Sequence, residues 1–132
     1  MKISVDTNVL ARAVLQDDPE QSRAASKLLR ESSLIAISLP CLCELAWILR
    51  RGAKLSKDDI ALTIRDLLQA ENVAMNRPAV EAGLAMLEAG GDFADGIMAY
   101  EGAWLGGETF VSFDKAAVQL LARQGQATQL LS

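Results

Sequence analysis

Short apolar runs alternate along the chain with longer stretches in which apolar residues recur at helical spacing. Residues 2–5 read as a short buried strand with Asp6 at its C-terminal end. Asn8 is placed to cap a helix over residues 9–15. Asp17-Asp18-Pro19 breaks that pattern, and residues 20–29 resume it with Ala24, Ala25, Leu28 and Leu29 on one side. Residues 34–39 read as a second buried strand. Pro40 suits the first position of the next helix, where its missing N–H has no intrahelical partner to lose. That helix turns Cys41, Leu45, Ile48 and Leu49 inward and ends near Gly52. Ser56-Lys57-Asp58-Asp59 has the form of a capping box and opens a helix carrying Ile60, Ile64, Leu67 and Leu68. Pro78 opens another, with Val80, Leu84 and Leu87 in register, closed by Gly90-Gly91. Asp92 begins a helix to about Leu105, stopped by Gly106-Gly107. Residues 109–112 form a third strand, Asp114 precedes a helix to Arg123, and residues 127–131 suit a last strand.

Strands that alternate with helices and are apolar on both faces imply a parallel sheet covered on both sides. The expected fold class is therefore α/β: a three-layer α/β/α sandwich with a mainly parallel central sheet. No repeat, low-complexity segment or linker interrupts the 132 residues, so residues 1–132 read as a single domain. Ligands of such sheets bind at the carboxyl ends of the strands.

Composition narrows the chemistry. The first residues reach a charge at Lys2 and another at Asp6 before any long apolar stretch, so no export signal is expected. The longest apolar run, residues 34–43, is too short to span a bilayer, and the expected location is the cytoplasm. Cys41 and Cys43 sit too close in one helix to bridge each other easily and read as reduced core thiols. The absence of histidine excludes His-based acid–base catalysis and Ser-His or Cys-His pairs. Two cysteines without histidine also leave a zinc shell incomplete. Carboxylates remain in quantity, 17 Asp+Glu against 13 Lys+Arg, and their oxygens suit Mg²⁺ or Mn²⁺. A net charge of −4 argues against a simple basic nucleic-acid binder. It leaves room for a nuclease whose metal ions neutralise its own acids.

Four acids stand out: Asp6, Glu44, Asp95 and Asp114. Asp6 directly follows the first strand, where an Asx turn is the alternative role. Asp114 can serve as a helix N-cap. Asp92 and Asp95, three residues apart, resemble a capping box. Glu44 is the only charged residue between Leu34 and Leu49. A lone carboxylate in an apolar setting has to be hydrogen-bonded, protonated or bound to a cation; the alternative is an exposed stripe with Trp47 and Arg51. In a parallel α/β sheet all four positions belong to one edge, and a divalent cation is the natural answer to their mutual repulsion.

Val5-Asp6-Thr7-Asn8, Glu44-Leu45-Ala46-Trp47, Asp92-Phe93-Ala94-Asp95 and Thr109-Phe110-Val111-Ser112-Phe113-Asp114 resemble the ordered motifs of PIN-domain ribonucleases, most closely VapC-type toxins of bacterial toxin–antitoxin pairs. The resemblance implies that Asp6 and Asp95 are the principal metal ligands and that Glu44 and Asp114 complete the site. Thr7, Asn8 and Asp92 would support it. Gly96 departs from the alanine more usual in these toxins and would loosen its helix slightly without removing a ligand. The implied reaction is hydrolysis of RNA by a Mg²⁺- or Mn²⁺-activated water, leaving a 5′-phosphate and a 3′-hydroxyl. Arg12 and Lys115 are candidates to hold RNA phosphates, with solvated surface charge as the alternative. The resemblance also implies a homodimer and a small cognate antitoxin. Physically, an antitoxin arginine would fit among Asp6, Glu44 and Asp95, with Trp47 and Leu15 as flanking apolar candidates.

Other readings share some of these features. A phosphoaspartyl hydrolase of the haloacid dehalogenase type wants a second Asp where Asn8 stands. A phosphorylatable, Mg²⁺-binding receiver domain needs a lysine after its last core strand, and nothing after Arg123 supplies one. A catalytically silent PIN fold used only for binding sits poorly with four acids retained.

Overall fold

A computed structural model describes all 132 residues and divides them into two compact units, residues 1–76 and residues 77–132. In the first unit, β1 (Lys2–Ser4), β2 (Leu34–Ala36) and β3 (Val73–Ala74) form a wholly parallel sheet with β2 in the middle. Ile3 pairs with Ile35, which pairs in turn with Val73. The helices are α1 (Thr7–Leu15), α2 (Pro19–Glu31), α3 (Leu39–Trp47) and α4 (Lys57–Gln69), and α3 runs on into a π-helical turn, Ile48–Gly52.

Local chemistry explains each start. Asp6, not Asn8, caps α1, so the helix begins two residues earlier than the sequence suggests: an aspartate in extended conformation presents its carboxylate to the first amides more directly than a residue inside the turn can. Asp18 caps α2 with Pro19 behind it. Ser38 caps α3, so Leu39 takes the first position and Pro40 the second. Ser56 caps α4 through the Asp59 amide, as its motif predicts. The buried Ser22 hydroxyl donates to the Arg12 carbonyl and ties α2 to α1. Strand β3 has only two residues, too few for a period-two pattern to show.

In the second unit, α5 (Arg77–Glu88) and α6 (Phe93–Trp104) form an extensive helix pair, followed by β4 (Phe110–Ser112), α7 (Lys115–Arg123) and β5 (Thr128–Leu130). Strands β4 and β5 pair in parallel, Phe110 with Thr128 and Ser112 with Leu130. Met86, Ala99, Ala117 and Leu121 form a buried cluster with Phe110 and Leu120 packed on it. The fold class is thus α/β with parallel strands, as the pattern of the sequence predicts, with the strands hydrogen-bonded in a set of three and a set of two. No helix is long and apolar enough to cross a membrane.

The α5–α6 crossing is set by two glycines. A Cβ on Gly83 would lie 2.7 Å from Phe93 Cε1, and one on Gly96 would lie 2.8 Å from the Gly83 Cα and closer still to the Ala82 carbonyl oxygen. Gly96 is therefore the contact that lets two helix backbones approach, and not merely a loosening of α6. The usual helical penalty of glycine, roughly 1 kcal/mol against alanine, is outweighed where the methyl would strike backbone. Gly96→Ala is expected to lower stability by about 1–3 kcal/mol in denaturant unfolding. A stabilising effect would show that α6 has room to move.

Candidate functional site

Parallel pairing brings the exits of β1 and β2 to the same edge of the first sheet, so the starts of α1 and α3 lie side by side. A depression of about 340 Å³ opens there, lined by Asp6, Thr7 and Asn8 from α1 and by Ser38, Cys41 and Glu44 from the start of α3. Asp6 uses Oδ1 to accept from the Asn8 amide at 3.1 Å and the Val9 amide at 3.4 Å. Its other oxygen, Oδ2, is left for a further partner. Capping and ligation are therefore compatible in one carboxylate.

Glu44 is exposed, which corrects the expectation of a carboxylate in a dry setting. Leu42, Leu45 and Leu49 are fully buried and fix the inner face of α3, and each is worth about 1.5–3 kcal/mol in burial. That leaves Glu44, Trp47 and Arg51 on the solvent side. The solitary charge is thus not desolvated; what distinguishes it is the shared depression with Asp6. Thr7 and Cys41 are buried beneath that depression, while Cys43 is only half-buried, and no disulfide links the cysteines. Burial pushes the Cys41 thiol up, the Thr7 hydroxyl at its sulfur pulls it back, and the negative charges of Asp6 and Glu44 raise it further. Thr7 and Asn8 both line the depression.

The second unit holds the other candidate acids. Asp92 stands at the N-cap of α6 but makes no capping hydrogen bond with its side chain, so the reciprocal capping box is not formed. Asp95 lies in the first turn of α6, half-buried. Its carboxyl is held above the usual range first by loss of hydration and then by the charges of Asp92 and Asp114, and no hydrogen bond or cation in the protein offsets them. Asp114 caps α7 as the sequence suggests, accepting from the Ala117 amide at 3.1 Å through Oδ1. Like Asp6, it keeps Oδ2 in reserve. In neither unit do three or more His, Cys, Asp or Glu side chains gather into a ready-made ion cage.

The cationic candidates differ in state. Arg12 Nη1 donates to both oxygens of Asp17, at 3.0 and 3.1 Å, so its charge is balanced locally. Lys115 is exposed on the first turn of α7. Leu15 is half-buried and Trp47 is exposed. Sequence reasoning singled out neither Ser38 nor Cys41 as pocket residues; the position of Ser38 before Leu39-Pro40 was the available signal for its capping role.

The PIN domain family pattern matches residues 3–120, across both units, and the chain belongs to the PIN domain family. PIN domains have a nuclease-type fold, are generally nucleases and typically bind divalent metals. No curated relative matches the chain.

The raised proton affinity of Asp95 sets the sign of a stability effect. A carboxyl whose folded-state pKa is raised contributes stability below its unfolded value, about 3.9, and loses it as pH rises through the folded value. At neutral pH the charged form is a burden that Asp95→Asn removes. In metal-free protein this variant is expected to melt higher than the parent at about pH 7, with the gain shrinking towards about pH 4. Thermal unfolding of both proteins across that range checks it; a difference independent of pH would mean that the Asp95 charge carries no penalty.

Proposed function

We propose that this chain is a metal-dependent endoribonuclease, the toxin of a toxin–antitoxin pair, acting in the cytoplasm. One observation carries the reading: Asp95 is half-buried beside two further acids, with nothing in the protein to neutralise it. Such an arrangement reduces stability and makes sense when an external cation completes it. The donor chemistry fits: oxygen-only, anionic side chains are what Mg²⁺ or Mn²⁺ select. Asp6 and Asp95 would be the principal ligands, with Glu44 and Asp114 completing the set and Asp92 adding negative charge nearby. The cation would supply Lewis-acid polarisation of the phosphodiester and a lowered pKa for a bound water.

The remaining steps fall to the chain's own residues. Glu44 or Asp114 accepts a hydrogen bond from the attacking water and takes its proton as the new P–O bond forms. The bond from phosphorus to the 3′-oxygen breaks, giving a 5′-phosphate and, after protonation by solvent, a 3′-hydroxyl. A 2′-hydroxyl route with a histidine base has no histidine to use. Lys115 is exposed and forms no ion pair, and is the better of the two candidates for a phosphate contact; Arg12 already serves Asp17. In the second unit Trp104, Leu105 and Phe113 are 76, 89 and 73% exposed, apolar side chains of the kind that a second copy of the chain would cover in a homodimer.

The decisive variants remove charge without removing shape. Asp6→Asn retains a good helix cap and Asp95→Asn relieves repulsion, so both should fold. Each is expected to abolish Mg²⁺-dependent cleavage of RNA, and the double variant to lose little more, because residues of one catalytic unit are not additive. Near-parental cleavage by either single variant overturns the assignment. The antitoxin is expected to place an arginine against Asp6 and Glu44, whose planar fork suits paired carboxylates. Its affinity should then fall as Mn²⁺ is titrated into the complex; an affinity independent of metal would locate inhibition elsewhere.

A further inference from the structure

The segment following Glu44 reverses the character of the molecule. Residues 45–57 contain Arg50, Arg51, Lys54 and Lys57 and no acid, in a chain of net charge −4. They span the end of α3 and the π-helical turn Ile48–Gly52, a widened ladder of the kind that recurs at functional sites. Trp47 stands at the junction, 63% exposed, one turn beyond Glu44. An aromatic ring exposed to that extent offers a face on which a base can stack. Arg51 is exposed one turn further, with Arg50 and Lys54 exposed beside it. Arg50 donates one guanidinium N–H to the Leu55 carbonyl at 3.1 Å, which steadies the turn and leaves further donors outward.

The surface is also continuous with the acidic pocket. A second depression, of about 320 Å³, is lined by Asn8, Arg12, Asp17, Ile48, Gly52 and Ala53 among others, the Arg12 and Asp17 charges balancing each other. Asn8 lines the depression of Asp6 and Glu44 as well, so the two adjoin at that residue. A path therefore leads from the carboxylates, past Asn8 and the Arg12–Asp17 ion pair, to Ile48 and Gly52 of the π-turn, the segment whose sequence carries Arg50 and Arg51.

We propose that this path is a single-stranded RNA track, in which Trp47 stacks a base next to the bond to be cut while Arg50, Arg51 and Lys54 hold the phosphates beyond it. The proposal rests on the ribonuclease reading and names the substrate form and the surface that reading lacks. Charge complementarity selects the occupant: a polyanion suits the π-turn, whereas a basic peptide would meet like charge there. Stacking on an aromatic platform beside a cationic groove is the usual physics of single-strand binding and is tolerant of sequence.

Binding can be read without cleavage. The chain has two tryptophans, so Trp104→Phe leaves Trp47 as the only indole. A 2′-O-methyl single-stranded RNA, which resists hydrolysis, is titrated into this variant in chelator, and saturable quenching of Trp47 emission is expected. Fluorescence anisotropy of the same labelled RNA should show binding weakened about tenfold by Trp47→Ala and largely restored by Trp47→Phe. Removing three phosphate contacts in R50A/R51A/K54A should reduce the slope of log affinity against log salt by about 2, at about 0.7 per contact on a single strand. Unchanged affinity in Trp47→Ala, or an unchanged salt slope in the triple variant, overturns the proposal. So does quenching by an arginine-rich peptide but not by RNA, which would assign the surface to a protein partner. Failure of the nuclease reading is separately visible, because it is scored by metal-dependent cleavage in Asp6→Asn and not by binding of uncleavable RNA.

Discussion

Parallel pairing of β1 with β2 is the constraint on which the first half of the site depends. It sends both strands out at one edge, and each exit turns at once into a helix. The unsatisfied amides of two helix N-termini then face the same space and favour negative charge there. Asp6 answers for α1 and the Ser38 hydroxyl for α3. An acid at this edge is thus a structural asset before it is a chemical one, worth about 1 kcal/mol as a cap. Because one carboxylate oxygen suffices for both amides, the second remains available. Asp114 repeats the device on α7.

Asp95 obeys a different logic. It follows Asp92 on the first turn of α6, where the helix dipole favours it, yet loss of hydration and two neighbouring charges more than cancel that benefit. The helix carrying it is held against α5 by a close glycine-to-glycine crossing. Rigidity of the support and discomfort of the charge belong together. A helix free to relax would move Asp95 to water, and the position would lose whatever a cation could gain from it.

Much of this was legible in the chain. Element order, the parallel class, the caps at Ser56 and Asp114, and the stops at Gly90-Gly91 and Gly106-Gly107 follow from turn and capping chemistry that acts locally. What sequence left hidden is what depends on neighbours. Strand β3 is defined by pairing with β2 and not by its own pattern. Capping by Asp6 in place of Asn8 turns on the extended conformation of Asp6, which the β1 exit imposes. The exposure of Glu44 is not legible in one dimension, where an apolar helix looks dry all round; three fully buried leucines on one face leave the other face wet. Gly96 looked like a weakness in a helix because its role lies in Ala82 and Gly83, thirteen or more positions away.

On the proposed ribonuclease reading, an acidic protein has to admit a polyanion, and the order of charges along one helix bears on how it would do so. Glu44 sits before the aromatic ring and the arginines after it, so the acid and the cations are separated by about two turns of α3 and its π-helical extension. At physiological ionic strength a Debye length is about 8 Å, close to that separation. A phosphate near Arg51 would therefore feel Glu44 only weakly, whereas one moved up beside Asp6 and Glu44 would meet the full repulsion unless cations intervened. Under the proposed RNA track, attraction at the turn, an uncharged stacking surface at Trp47 and repulsion at the pocket would together let a strand dock first and depend on counter-charge for the last step.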